Sequence, residues 1–321
     1  MSGSHAPTTM RAVVYKGPYE VAVEDKPYPK IQHDTDCILK VTTSALCGSD
    51  LHFYRGKLKV PAGFVCGHEF VGDIVEIGDK VEKLSVGERS YSHSTQPAGT
   101  ASTASGAKHR AAIKDNFSAT LYPQIVSMAG KPKLLVLMAD IFPTGYFATS
   151  RFLKNLELRD RENFTSIVVG CGPVGICAIA CAVTMVDTVY AIDSVPERLE
   201  EAAALGAIPI HLTEQDPIAE IMKATDGLDF IRPWGSISSV GMHNHALALE
   251  GVQLYSKNVT LAFGRCPVRS IFEDALALLV EQQDKVKWLC GKTMSLEDAP
   301  EAYGDFEARK VHKVLFKAAA V

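Results

Sequence analysis

Two short stretches hold side chains that could grip a metal and move a proton: Cys47-Gly48-Ser49-Asp50-Leu51-His52 and Gly67-His68-Glu69. A thiolate from Cys47 and an imidazole from His68 suit zinc, which in catalytic sites takes three protein ligands and leaves one position open. Asp50 is placed in the sequence to fix a histidine tautomer from outside the ligand set. Plainer roles exist for each residue taken singly. Cys47 could be a small buried hydrophobe, as Cys66 is expected to be, and His52 a surface histidine.

A second chemical signature is Gly170-Cys171-Gly172-Pro173-Val174-Gly175. It matches G-x-G-x-x-G between an apolar strand pattern, SIVVG, and a helix pattern. Gly170 permits a tight turn, Gly172 lets backbone approach a pyrophosphate, and Gly175 allows close helix–strand packing. The helix N-terminus then faces the phosphates. Asp193 ends the next strand pattern, where it can accept from ribose hydroxyls and repel a 2′-phosphate, favouring NAD over NADP. Arg198, just beyond, is assigned to the same site. The alternative is an ordinary strand–helix turn whose glycines serve packing alone.

The elements that must position these residues fall into two styles. Residues 10–90 contain MRAVVY, ILKVTTSAL and FVGDIVEIG, β-branched runs separated by turn-forming groups, which predict a compact β-rich unit. From about Thr144 strands alternate with helices: 166–170, 173–186, 188–193, 196–206, AIPIHL, and a helix capped by Asp216. That alternation predicts a parallel doubly wound sheet, joined later by strands at 236–241 and 259–263, a helix at 271–283 and a last strand in VHKVLFKA. Residues 91–120 carry almost no large apolar side chain before Ile113 and are expected to form an irregular loop.

Composition narrows the partners. The 321 residues include 33 Lys and Arg against 37 Asp and Glu, and no basic run stands out, which argues against nucleic acid. Residues 166–186 are apolar enough to suggest a membrane span, but three glycines and a proline interrupt them near the start. The eight cysteines form no CxxC pair and, with no leader pattern ahead of them, read as reduced cytosolic thiols; Cys171, Cys177 and Cys181 are expected in the core.

Together CGSDLH, GHE and GCGPVG with its terminal Asp resemble the zinc-dependent medium-chain alcohol dehydrogenases. ADIFPTGY at 139–146 and FGRCPVRSIF at 263–272 resemble the branch of the glutathione-independent formaldehyde dehydrogenases. The resemblance implies an α/β chain with a GroES-like catalytic domain at 10–144, a Rossmann coenzyme domain at 145–265 and a return to the catalytic domain at 266–321. It implies that Asp140 is the third zinc ligand, although this residue could equally cap a turn before Pro143. It also implies that Glu69 is an acid beside the metal, and that Ser49 and His52 relay the substrate proton. One catalytic zinc, NAD, an alcohol or aldehyde substrate, a cytoplasmic setting and pairing of two copies complete the expectation. In such a site zinc stabilises an alkoxide and hydride passes to the nicotinamide.

Two family segments are missing. The place of a four-cysteine structural zinc lobe is taken by residues 91–120, which contain no cysteine. After Thr225, DGLDFIRPWGSISSVG leaves no room for a fourth strand and its helix, so the nicotinamide side should suffer and a sheet edge should open. Competing readings are therefore a truncated, catalytically impaired paralogue and a zinc site doing non-redox chemistry on a carbonyl.

Overall fold

The computed structural model describes residues 8–82, 84–91, 131–154, 164–224, 231–242, 247 and 249–317. Residues 92–120 of the loop expected at 91–120 lie outside them, as do residues 225–230 of the expected deletion, whereas Tyr91 ends a strand. In chain order the elements begin with β1 (Thr9–Gly17), β2 (Glu20–Pro27), β3 (Cys37–Ala45), α1 (Asp50–Tyr54), β4 (Glu69–Ile77) and β5 (Arg89–Tyr91). They continue with α2 (Pro132–Leu135), a 3₁₀ turn (Val136–Ala139), α3 (Ile141–Leu153), β6 (Thr165–Val169), α4 (Pro173–Ala182), β7 (Thr188–Asp193), α5 (Pro196–Ala204) and β8 (Ile208–His211). The rest comprises α6 (Pro217–Ala224), β9 (Ser236–Ser239), α7 (Gly251–Ser256), β10 (Thr260–Phe263), α8 (Val268–Val286), β11 (Thr293–Ser295), α9 (Ala299–Glu307) and β12 (Leu315–Lys317).

The chain divides into two compact units, Met1–Asp140 with Lys287–Val321, and Ile141–Val286. In the first unit five strands form a sheet in the order β11-β12-β3-β4-β5, and β1 and β2 form an antiparallel hairpin. Alternation along β1 divides its buried side chains between two clusters. Ala12 and Val14 meet Val65, while Val13 and Tyr15 join Leu46, Tyr303 and Phe316. β1 is thus covered on both faces, which is why MRAVVY is nearly all apolar.

In the second unit β6, β7 and β8 form a parallel sheet in that order, and β9 pairs in parallel with β10. The apolar stretch 166–186 breaks into β6, a glycine turn and α4. From Ile176 to Ala182 every residue of α4 is buried, so its all-round hydrophobicity is that of a core helix. Cys171, Cys177 and Cys181 are fully buried there. α4 stops at Ala182, short of the predicted 186, in a turn where the Thr184 hydroxyl donates to Cys181 O at 2.7 Å. Among the described residues no helix is long and apolar enough to cross a membrane. Asp216 caps α6 as expected, its Oδ1 accepting from the backbone of Ile218 and Ala219 at 3.0 and 3.3 Å.

The interruption of the sheet is visible. β8-β7-β6 follow the first three places of the usual doubly wound order 3-2-1-4-5-6, and β9 and β10 form a separate parallel pair. Among the described residues no strand occupies the fourth place. β9, formed from SISSVG, does not move into the vacancy; its strand partner is β10. Among the described residues no strand pairs with the outer edge of β6, and Val169 at its end is 66% exposed.

Candidate metal centre and coenzyme loop

The metal-ligating side chains gather in the first unit from three separated stretches. Cys47 lies in the turn between β3 and α1, held where Asp50 N–H donates to Cys47 O at 3.0 Å. Gly67 has φ +101°, a left-handed conformation that bends the chain ahead of His68 and the start of β4. Asp140 follows the fully buried segment Val136–Ala139, which anchors it from below. One ligand atom from each of Cys47, His68, Glu69 and Asp140 lies within 4.8 Å of all the others. Asp140 Oδ2 is 3.6 Å from Cys47 Sγ and 3.5 Å from His68 Nε2.

Two side chains from the first stretch surround this group. Asp50, almost fully buried, accepts the Cys47 N–H through Oδ2 at 2.9 Å and places Oδ1 3.2 Å from His68 Nδ1. One carboxylate therefore holds the Cys47 turn by a hydrogen bond and His68 by an ion-pair contact, with Nε2 of His68 turned to the cluster. Ser49 Oγ lies 3.2 Å from both Cys47 Sγ and His68 Nε2. His52 sits three residues further along α1, where its backbone N–H donates to Ser49 O at 3.2 Å. Its imidazole pKa is lowered by partial burial and by the cations Arg55 and Lys57.

Electrostatics mark the cluster as a cation site. Burial, reinforced by the charges of Glu69 and Asp140, pushes the Cys47 thiol up to about 11. Burial would lower His68, but the charges of Asp50 and Cys47 and hydrogen bonds to Asp140 and Asp50 raise it well above the usual imidazole range. Glu69 is completely buried; burial raises it and Lys313 opposes the rise. Three acids crowded this closely are stabilised by a cation among them, and the mixed S, N and O donors suit zinc.

Sequence reasoning missed Lys313. Its ammonium contacts Glu69 Oε2, and both side chains are fully buried. The available signal was a lone lysine inside the apolar run VHKVLF, where a charged side chain must be paired if it is buried.

In the second unit Gly170 has φ +92° between β6 and α4, and a Cβ on Gly175 would collide with Gly170 O. Gly172 is the N-cap of α4 with Pro173 and Val174 in its first turn, an open cradle suited to a pyrophosphate. Asp193, at the end of β7, accepts the Cys171 N–H at 2.7 Å and the N–H groups of Ser194 and Val195 at 2.7 and 3.0 Å. Arg198 Nη1 lies 3.9 Å from Asp193 Oδ2. Asp193 thus ties the glycine loop to β7 besides presenting a carboxylate. The phosphate and adenosine half of a dinucleotide fits these residues.

Comparison with known proteins agrees with this geometry. Residues 33–131 match the family model of the alcohol dehydrogenase GroES-like domain. The chain is 39% identical to zinc-type alcohol dehydrogenase B of Aspergillus flavus, over 96% of this chain and 81% of that protein. It is 25% identical to a glutathione-independent formaldehyde dehydrogenase of Pseudomonas aeruginosa, over 93% and 95%. Among solved structures, alcohol dehydrogenase TADH from Thermus sp. ATN1 superposes with a TM-score of 0.78 at 27% identity, covering 97% of this chain and 100% of that one.

Proposed function

The chain belongs to the zinc-dependent medium-chain alcohol dehydrogenases, and from that premise we propose that it transfers hydride between a small alcohol or aldehyde and NAD(H). The observation that carries this reading is the convergence of Cys47, His68 and Asp140, from distant stretches, on one point beside Ser49. Zinc bound there supplies a Lewis acid for the substrate oxygen, and NAD supplies the hydride acceptor.

The remaining roles belong to the chain. Cys47, His68 and Asp140 are the metal ligands, and Asp50 holds His68 in the tautomer that offers Nε2. Ser49 Oγ takes the hydroxyl proton of the substrate, and His52, a partly buried imidazole with a lowered pKa, passes it to solvent. Gly170, Gly172, Pro173, Val174 and Gly175 cradle the pyrophosphate, while Asp193 and Arg198 face the adenosine ribose. The first unit is then the catalytic unit and the second the coenzyme unit. Eight buried cysteines, none joined in a disulfide, support a reducing, cytosolic setting. Exposed Trp234, Val252, Tyr255 and Phe263 around β9 and β10 support pairing of two copies through that part of the chain.

Metal analysis and NADH calorimetry test the reading together. One zinc per chain, lost in Cys47→Ala, with saturable NADH binding is expected. A second reading, a zinc-holding protein with a weak coenzyme grip, is favoured by the interrupted sheet beside β6. It predicts the same zinc count but no NADH heat at millimolar concentration.

A further inference from the structure

Glu69 and Lys313 form a buried pair against the metal-ligand cluster. Glu69 Oε2 contacts the ammonium of Lys313, and neither side chain has any exposed surface. Glu69 Oε1 is buried with no hydrogen-bond partner, and Glu69 offers a ligand atom within 4.8 Å of those of Cys47, His68 and Asp140. A carboxylate so placed has one oxygen restrained and the other free to serve as a metal ligand.

Charge gives the lysine a reason to be there. The thiolate and the two carboxylates of the cluster bring one negative charge more than a divalent cation neutralises, buried Asp50 adds another beside them, and Lys313 offsets one of the two. Without it, the excess charge on Glu69 would be relieved most directly by closing on the metal. Four protein ligands would then fill the tetrahedron, and the open position that separates a catalytic zinc from a structural one would be lost.

We propose that Lys313 is a positioning residue that restrains Glu69 and so keeps one coordination position of the metal free for substrate. This deepens the zinc reading and rests on it. The test is thiocyanate binding to the cobalt(II)-substituted full-length protein, followed through the cobalt visible absorption. Wild type should take up cobalt and bind thiocyanate. Lys313→Met should keep cobalt but bind thiocyanate about tenfold or more weakly, the scale on which residues outside the ligand set act on a metal. Lys313→Arg should behave like wild type. Glu69→Gln, which keeps the side chain's shape and can still accept from Lys313, should bind the anion several-fold tighter, because the site gains a positive charge. This second variant decides the matter where Lys313→Met fails to fold. Unchanged thiocyanate affinity in Glu69→Gln, or in a cobalt-loaded Lys313→Met, would overturn the proposal. Failure of wild type to take up cobalt would overturn the zinc reading itself, and this inference with it.

Discussion

Replacing Asp50 by asparagine changes one charge in a buried position and leaves the shape intact. The carboxylate now serves two groups, the Cys47 N–H at 2.9 Å and His68 Nδ1 at 3.2 Å. Asparagine has one oxygen and one NH₂ group, so either the Cys47 N–H loses its acceptor or His68 Nδ1 faces an NH₂ in place of a charged oxygen. A buried donor left without an acceptor costs about 1–3 kcal/mol. If the amide oxygen keeps Cys47, the His68 ring loses its tautomer lock and Nε2 is no longer aimed at the cluster. If it keeps His68, the turn carrying Cys47 loosens. Either way the metal loses one pre-oriented ligand, and losses of this kind weaken metal binding about 10–100-fold. Competition against a chromophoric chelator at neutral pH measures this directly, with thermal melting of the metal-free protein as the control for folding. An Asp50→Asn protein that folds and holds zinc as tightly as wild type would refute the orienting role.

Metal uptake should be strongly pH-dependent. The Cys47 thiol is pushed up to about 11 by burial and neighbouring carboxylates, and His68 is raised despite its burial. Both shifts favour the protonated form in the metal-free protein, and both groups must lose a proton to bind. Affinity should climb from pH 6 to 8 with the release of about two protons per metal, measurable with an indicator dye in weak buffer; a flat profile would contradict the assigned ligands. Gly175→Val places a side chain against Gly170 O and should abolish NADH binding while leaving one zinc per chain, by calorimetry and metal analysis. Glu201 is pushed up to about 7 by burial, so the folded state binds its proton more tightly than the unfolded chain does. Its contribution to stability therefore declines as pH rises from about 4.5 through 7. Glu201→Gln should melt close to wild type at pH 4 and above it at pH 8. Hydrogen exchange should be slowest in β7, which is paired on both sides, and faster in β6, which among the described residues is paired on one side.

The sequence and the structure agree most closely where local chemistry dictates local shape. The glycine loop, the strands on either side of it and the Asp216 cap were all legible, because each rests on a backbone requirement that few residues meet. Cys47 and His68 were legible as metal-ligand types, but Asp140 was not. On residue type alone it was as good a turn cap as a ligand, and only the family resemblance singled it out before the fold set it 3.5 Å from His68. Asp50 was legible as a carboxylate that could fix a histidine, but its hydrogen bond to the Cys47 N–H appears only in the fold. Lys313 was lost because its partner lies 244 residues earlier, and no local pattern encodes a pairing that distant. The early end of α4 was missed for a different reason. Apolar content continues through Val186, but the Thr184 hydroxyl and backbone turn the chain first.

The division of the chain decides what the missing strand can damage. Every candidate metal ligand, and both Asp50 and Lys313, belongs to the first unit, which packs its own core around Leu46, Tyr54, Tyr303 and Phe316. The interruption between β6 and β9 belongs to the second unit. Metal binding and coenzyme binding should therefore fail independently: substitutions at the cluster should spare NADH binding, and a weak coenzyme grip should spare the zinc. Within the second unit the loss is also one-sided. The glycine loop, which follows β6, is tied to Asp193 at the end of the paired β7, whereas among the described residues no strand pairs with the opposite edge of β6. The residues proposed to hold the adenosine half are thus all in place, and whatever affinity is missing should come from the nicotinamide half. ADP-ribose and NADH should then bind this chain with nearly equal affinity, and a large advantage for NADH would show that the vacancy is filled.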